Sequence, residues 1–310
     1  MNTFKINNFD LQQIAESGQC FRMNYISHLS HSDDQVRTYA VISKGNYAEI
    51  SQNGPQITIN CPDEDLSFWR HYFDLNTDYQ HFISSVSDKD KYLQDAAEAG
   101  SGIRILNQDP WEMIITFILS QQKTIPKIKE AVEALCRHYG NKRTLLLPEF
   151  EMDGRLAPSS AIRTYYEFPD ASQLCGASLE DLKALKLGYR AKYICQICAD
   201  CNEGRLNLDA LCRMDYQIAM RYLESFYGIG TKVANCICLF GLHHINAFPV
   251  DTWIQQILDK NYYRNKYDLL PKNKLYQIMI DEHFGQYEGY GGVMQQYIFY
   301  YERVVIQGKV

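Results

Sequence analysis

The stretch from Leu223 to Trp253, LESFYGIGTKVANCICLFGLHHINAFPVDTW, constrains this chain more than any other. Apolar residues recur at helical spacing on both sides of Gly228-Ile229-Gly230-Thr231-Lys232: Ile218, Tyr222 and Phe226 before it, and Val233, Ile237 and Phe240 after it. The spacing predicts two helices joined by a very short glycine hairpin, over residues 216–241. Gly228 and Gly230 can take positive φ and let another backbone come close. The second helix then opens with unpaired N–H groups, an arrangement that suits a phosphate. Lys232 falls in the first turn of that helix, facing the positive end of its dipole, where a neutral amine is favoured. A neutral amine is the form that attack on a sugar carbon requires. Cys236 follows at i+4 on the same face. Pro249-Val250-Asp251 next turns an extended run into a new helix beginning Thr252-Trp253, with Asp251 at the N-cap. Taken alone, Asp251 is a helix cap and nothing more.

Two textures divide the chain, and the pattern predicts an α+β protein. Residues 1–101 carry alternating runs at Thr38–Ser43, Tyr47–Ser51 and Gln56–Asn60, with Gly45-Asn46 and Asn53-Gly54 between them as turns. This predicts an antiparallel sheet with helices on one face. Within it, Ser17-Gly18-Gln19-Cys20-Phe21-Arg22 reads by itself as a helix stop with Gly18 just past the cap. From Gly102 to residue 310 the pattern becomes helical, with breaks at Pro110, Pro126, Pro148, Pro158 and Gly188. Phe117–Ile125 is an apolar helix ending in the polar cluster Ser120-Gln121-Gln122-Lys123. Leu187–Tyr193 ends one helix at Gly188 and starts another at Tyr189-Arg190. Near the end, Gln295 and Phe299 lie one turn apart on a helix face.

Composition narrows the function. With 310 residues and 46% hydrophobic content, the chain can build two full cores. No apolar run approaches membrane-spanning length, and Met1-Asn2-Thr3-Phe4-Lys5 lacks a secretory pattern, so a cytoplasmic protein without a membrane partner is expected. A net charge of −6 argues against a broad DNA-coating surface and leaves room for a narrow groove. Local clusters occur at Lys123, Lys127 and Lys129 and at Lys183, Lys186, Arg190 and Lys192. The ten cysteines are expected as thiols. Cys195, Cys198 and Cys201, with Cys212 beyond, have the spacing of a metal ligand set. Yet the run from Ala191 also reads as one amphipathic helix with Ile194, Cys198 and Cys201 on its packed stripe.

Together these motifs resemble the helix-hairpin-helix (HhH-GPD) DNA glycosylases, and within them the 8-oxoguanine DNA glycosylase/lyases. The chain looks like a bacterial, clostridial-like member of the eukaryotic-type branch. The resemblance runs from about Asp10 to Tyr301 and includes Ser17–Arg22, Trp69–Leu75, Gly102–Glu112, Phe117–Ile125, Leu187–Tyr193, the glycine hairpin with Pro249-Val250-Asp251, and Gly292–Phe299. It implies an N-terminal antiparallel (TBP-like) sheet domain followed by a helical glycosylase domain. It implies that Lys232 attacks the anomeric carbon and that Asp251 supports the developing positive charge.

The same resemblance assigns Gly18, Cys236, Gln295, Phe299 and Phe240 to the base pocket. There the Gly18 carbonyl accepts the N7–H that distinguishes 8-oxoguanine from guanine, Gln295 meets the Watson–Crick edge, and Phe299 and Cys236 take opposite faces. It assigns Gln122, Tyr189, Arg190, Lys127, Gly228, Gly230, Val233 and Trp253 to DNA, with Gln122 filling the gap left by the extruded base. No cofactor is required. A sodium, potassium, calcium or magnesium ion on the carbonyls of Phe226 and Ile229 is expected to hold a phosphate. Relatives with an iron–sulfur cluster carry its four cysteines after the catalytic aspartate, where this chain has none, so no cluster is expected. The implied partner is double-stranded DNA containing 8-oxoguanine, bound by a monomer.

Three departures stand out from the family pattern. Phe226-Tyr227-Gly228 replaces Leu-Pro-Gly, Gln122 stands for asparagine, and Lys127 stands where the vertebrate type has a second arginine at the opposite cytosine. Two other readings stay open at this level: a glycosylase for alkylated or ring-opened purines, and a non-catalytic DNA-binding module.

Overall fold

Strand alternation builds the first layer. In the computed structural model, which describes residues 2–26, 36–151 and 153–309, five antiparallel strands pair in the order β1-β5-β4-β3-β2. They are β1 (Thr3–Lys5), β2 (Met23–Tyr25), β3 (Val36–Ser43), β4 (Asn46–Asn53) and β5 (Gln56–Asn60). The long three are those the alternation predicts; β1 and β2 are three-residue edge strands, too short to show a period. The β3–β4 turn is Lys44-Gly45, at φ 50° and 79°, one residue earlier than expected. Positive φ at both central residues is what a tight hairpin turn demands.

One face of this sheet packs on α1 (Leu11–Glu16) and α2 (Leu66–Tyr72). Val41, Ile50, Ile57, Ile59, Leu11, Ile14, Trp69 and Phe73 meet there, all essentially sealed from water. Each such side chain stabilises the fold by roughly 1.5–3 kcal/mol.

The other face is polar in sequence and yet buried, because a second hairpin covers it. Strands β6 (Lys142–Phe150) and β7 (Leu156–Tyr166) pair in register from Lys142↔Tyr166 to Phe150↔Leu156. Glu49 is 2% exposed and accepts hydrogen bonds from Arg163, from Tyr47 Oη at 3.0 Å and from Asn60 Nδ2 at 3.4 Å. Asn60 Nδ2 also donates to Pro148 O at 2.7 Å, and Tyr165 stacks on Tyr47 at 5.2 Å. This hairpin interrupts the mostly helical second half at a place where the residues predict no strand. Short apolar runs such as Leu145-Leu146-Leu147 carry no period that separates strand from helix. Pro148 and Pro158 are tolerated because a two-stranded ribbon is all edge.

The remaining elements are helices: α3 (Tyr79–Ser84), α4 (Lys91–Ala99), α5 (Pro110–Ser120), α6 (Ile125–Tyr139), α7 (Ala171–Cys175), α8 (Leu179–Ala184), α9 (Arg190–Asn202), α10 (Leu208–Leu211), α11 (Tyr216–Glu224), α12 (Thr231–Phe240), α13 (Thr252–Asn261), α14 (Lys272–Phe284) and α15 (Gly291–Tyr300), the last continuing into a π-helical turn, Tyr301–Ile306. Among the described residues no helix is long and apolar enough to cross a membrane. Helix α5 is the hub: every residue from Trp111 to Leu119 is buried, and α6, α9 and α12 pack against it.

Packing divides the chain differently from the change of texture at residue 101. Tyr79, Phe82, Leu93 and Ala96 belong to the helical core, while Leu106 belongs to the sheet core. With α1 and α2 on one face of the sheet and the β-hairpin on the other, the apolar stripes of α3 and α4 have only the helical half to cover.

Arg22 crosses this seam. It is 1% exposed, donates from Nε to Glu133 at 3.0 Å and from Nη2 to Tyr166 O at 2.6 Å, and pulls on the buried carboxyl of Glu112. Burial nevertheless pushes Glu112 up to about 8, with Asp109 and Glu133 adding to it. Between its ordinary range and pH 8 the folded chain therefore holds one proton more than the unfolded chain. Stability should fall as pH rises across that window and level off above it. Glu112→Gln is expected to remove this decline, worth at most about 1.4 kcal/mol per pH unit. Urea unfolding at pH 5, 6.5 and 8 checks it: parallel profiles for the two proteins would mean that Glu112 stays ionised throughout.

Candidate active site

The glycine hairpin forms where the spacing places it, between α11 and α12. Gly228 has φ 89°, and a Cβ there would come within 2.4 Å of Tyr193 Cγ, so no other residue fits. Gly230 is not left-handed: it caps α12 at φ −95° and ψ 177°, and no atom lies near the position a Cβ would occupy. Its backbone is thus open to a ligand on that side. The first N–H groups of α12 have no side-chain cap. Val233 is buried, so it can offer a ligand only its backbone.

Lys232 is half-buried in the first turn of α12. Its Nζ donates to Ser120 Oγ at 3.4 Å and lies 5.5 Å from the centroid of the Phe117 ring. Ser120 gives its own hydrogen to Phe117 O at 2.8 Å, so its oxygen can only accept from the amine. One turn on, burial pushes the Cys236 thiol up while Lys232 pulls it down; at 4% exposed it is a neutral wall. Asp251 caps α13, accepting from Ile254 N at 2.9 Å, and its charge is felt by both Cys236 and Arg303. No ion pair within 4 Å joins Asp251 to Lys232 in this state.

The base-pocket candidates come from opposite ends of the chain. Gly18, at φ 79°, faces Phe299: a Cβ would lie 3.2 Å from Phe299 Cε1 and 3.4 Å from Ile125 Cδ1. The Gly18 loop is held by Gln19, whose amide donates to Arg104 O and accepts from Leu106 N, both at 2.8 Å, while Gln108 donates to Gln19 O. Phe299 is half-buried, with the Arg303 guanidinium 5.6 Å from its centroid; Arg303 also donates to Glu16 O at 2.7 Å. Gln295 is 3% exposed and its Nε2 donates to Pro249 O at 3.4 Å. Phe240 is placed differently from its expected role. It is 3% exposed and stacks on Phe117 at 5.5 Å, supporting that ring from within the core.

A second cluster surrounds the end of α5. Gln122 is exposed at φ 53°, a left-handed conformation uncommon for a residue other than glycine or asparagine, and it tips the corner. Gln121 Nε2 donates to Gly228 O at 3.0 Å, joining this corner to the hairpin. Arg190, expected as a free fork, is 7% exposed. It gives Nε and Nη2 to Gln121 O and Nη1 to Leu187 O, and lies 4.5 Å over the ring of Tyr189. Tyr189 is exposed and begins an aromatic chain through Tyr193 to Tyr227 at the hairpin. Lys127 is exposed and paired with Glu130 at 2.7 Å. It lines a cleft of about 510 Å³ with Gln122, Lys123 and Lys186. Trp253 is half-buried with Lys309 Nζ 4.9 Å from its ring centroid.

Cys195, Cys198 and Cys201 lie along α9 beside Cys175, and burial pushes the thiols of all three up. Among the described residues no group of three or more His, Cys, Asp or Glu is placed to hold a metal. Ser120, Phe117, Ile125, Gln121 and Arg303 were not assigned contacts from sequence. Only Ser120 and Gln121 carried a signal, as polar residues ending an apolar helix.

Comparison with known proteins identifies the family of the chain. Residues 2–114 match the family described as 8-oxoguanine DNA glycosylase, N-terminal domain, and residues 115–272 match the HhH-GPD superfamily base excision DNA repair proteins. The N-glycosylase/DNA lyase of Saccharomyces cerevisiae is 31% identical over 90% of this chain and 80% of its own length. A probable N-glycosylase/DNA lyase of Methanothermobacter thermautotrophicus is 28% identical over 82% of this chain and 83% of its own. Clostridium acetobutylicum 8-oxoguanine glycosylase/lyase, solved with double-stranded DNA containing cytosine opposite 8-oxoguanine, superposes at TM-score 0.79 with 29% identity, covering 97% of this chain and 93% of that one. The chain therefore belongs to the HhH-GPD superfamily of base excision DNA repair proteins and, within it, to the N-glycosylase/DNA lyases.

Proposed function

We propose that this chain removes 8-oxoguanine from double-stranded DNA through a covalent intermediate on Lys232 and then cuts the strand. The observation that carries this is the half-buried Lys232 amine at an uncapped helix N-terminus, bounded by Ser120, Phe117 and the neutral thiol of Cys236. The uncapped N–H groups of α12 and the open backbone at Gly230 suit a phosphate beside the reacting sugar. The flipped base leaves C1′ open to Nζ. The amine lone pair forms the C1′–N bond as C1′–N9 breaks, and the bonding pair departs with the base, which takes up a proton. Ring opening leaves an imine, and loss of a C2′ proton then expels the 3′ phosphate. Asp251, capping α13, places negative charge where the sugar becomes cationic.

The pocket residues support the lesion. The positive φ and crowded side of Gly18 leave only backbone there, which suits a carbonyl that accepts N7–H. The carbonyls of Phe226 and Ile229 form an oxygen-only set that fits a hard cation. Phe226 O already accepts from Ile229 N at 3.2 Å, with a lone pair to spare. Such an ion would supply positive charge to a DNA phosphate. Ten free thiols suit a reducing, cytoplasmic setting.

Four experiments test this reading. Borohydride should trap a covalent adduct on an 8-oxoguanine duplex and none on an alkylated duplex. Lys232→Gln should lose the adduct, base release and strand cleavage together, since one amine carries every step; near-normal excision by that variant would sink the covalent route.

Asparagine caps a helix as well as aspartate does. Asp251→Asn should therefore keep its melting temperature while excision slows about 10²–10³-fold, the loss of one electrostatic contact of roughly 3–4 kcal/mol. Early melting with an unchanged rate below the melt would make Asp251 structural only.

Opposite the lesion, Lys127 is a point charge on a flexible stem and selects angle poorly, while the Arg190 fork is engaged with backbone. Preference for cytosine over the other three bases should be shallow and should steepen by roughly five- to tenfold in Lys127→Arg. Single-turnover excision on four duplexes decides it; a steep preference unchanged by Lys127→Arg would place Lys127 away from the opposite base.

A further inference from the structure

The corner between α11 and α12 is a tight turn, Phe226-Tyr227-Gly228-Ile229, closed by Ile229 N donating to Phe226 O at 3.2 Å. Gly228 takes the third position with φ 89°, the positive φ that a type II turn requires there. Proline is favoured at the second position of such a turn, because its ring fixes the φ needed and lowers the entropy lost on folding. This chain has Tyr227 at that position.

Burial does not account for the tyrosine, since Tyr227 is 61% exposed. Its ring is nevertheless held in place. It meets Tyr193 edge-to-face at 5.0 Å and 84°, and Tyr193 lies directly against the turn, where a Cβ on Gly228 would come within 2.4 Å of its Cγ. Tyr193 in turn meets Tyr189 at 5.7 Å and 77°. Three rings therefore run from the hairpin to the exposed corner at the start of α9. Among the described residues none of their three hydroxyls has a hydrogen-bond partner, whereas Tyr222, on α11, gives its hydroxyl to Arg205 O at 2.6 Å. A fixed ring with a free hydroxyl is suited to donate to an acceptor that arrives from outside. Tyr227 also stands only four residues before Thr231, where the uncapped N–H groups of α12 begin. Phosphate and sugar oxygens take most of the hydrogen bonds between proteins and DNA, and tyrosine hydroxyls are among the donors.

We propose that Tyr227 is a further DNA-binding residue, whose hydroxyl donates to the sugar–phosphate backbone of the damaged strand beside the phosphate at the N-terminus of α12. The inference rests on the reading above for the place of the DNA, and it adds a contact that proline at this corner is unable to make. The turn gives up the rigidity of proline, and the contact with Tyr193 holds the donor in position instead.

Equilibrium binding to a duplex with a tetrahydrofuran in place of the lesion nucleotide should be measured at several salt concentrations for the natural protein, Tyr227→Phe, Tyr227→Ala and Tyr227→Pro. Thermal unfolding and single-turnover excision of 8-oxoguanine over a range of enzyme concentrations should be measured beside it. Tyr227→Phe keeps the ring and its contact with Tyr193 and loses only the hydroxyl. Its Kd should rise about three- to tenfold, the contribution of one hydrogen bond, with the melting temperature unchanged. A hydroxyl neutralises no phosphate charge, so the slope of log Kd against log salt should stay that of the natural protein. In excision the same rise should fall on the half-saturating enzyme concentration and not on the maximal rate. Tyr227→Pro should weaken binding at least as far as Tyr227→Phe while its melting temperature holds or rises. An unchanged Kd in Tyr227→Phe overturns the contact, and weak binding with early melting in Tyr227→Ala alone then shows that the ring serves only the shape of the hairpin. Natural affinity in Tyr227→Pro overturns it as well. Failure of the natural protein to excise 8-oxoguanine overturns the reading above instead, and binding of the tetrahydrofuran duplex still decides the role of Tyr227.

Discussion

The last residues of α5 hold this site together. Ser120 accepts from the Lys232 amine, the Gln121 side chain donates to Gly228 of the hairpin, and the Gln121 carbonyl receives the Arg190 guanidinium. These are the orphan carbonyls and polar side chains that any helix end must satisfy. Here they are satisfied by three other segments of the chain, so the amine, the hairpin and the Tyr189 corner cannot move independently. The burial of α5 from Trp111 to Leu119 gives that end a fixed position.

A second consequence follows from the crossing of the seam between the two cores. Residues 17–22 lead from α1 into β2, and their hydrogen bonds include those to Arg104, Leu106, Glu133 and Tyr166 of the second half. Gly18 thereby reaches Phe299, 281 positions later in the chain. The sheet contributes a pocket wall by anchoring this loop. The β6–β7 hairpin, by covering its polar face, keeps the sheet from needing α3 and α4, which are then free to pack the helical half.

Electrostatics act locally here. The chain is acidic as a whole, with net charge −6, but lysines 123, 127 and 186 line one cleft beside the exposed Gln122. Inside, the cationic groups Arg22, Arg104 and Arg190 are spent on backbone carbonyls and stay buried. The half-buried Lys232 amine, with one long hydrogen bond to Ser120, is held less firmly than these buried structural cations.

The local features of this protein are set by short-range chemistry and were legible in the residues themselves. Helical spacing around Gly228 and Gly230, the capping aspartate at Asp251 and the alternation of β3 to β5 each depend on neighbours within about one or two turns. What the residues could not show alone depends on contacts between distant segments. The β6–β7 ribbon exists because Glu49 and Asn60 needed covering, and no period within residues 142–166 reports that. Arg190 looks like an exposed fork in sequence, but the Gln121 carbonyl, 69 positions away, claims it. Phe240 is a pocket residue by family resemblance, but Phe117 stacks it into the core. Sequence therefore determined which groups could do the chemistry, through periodicity and capping; only the tertiary structure decided which of them are free to do it, because partners far along the chain compete for the same donors and the same space.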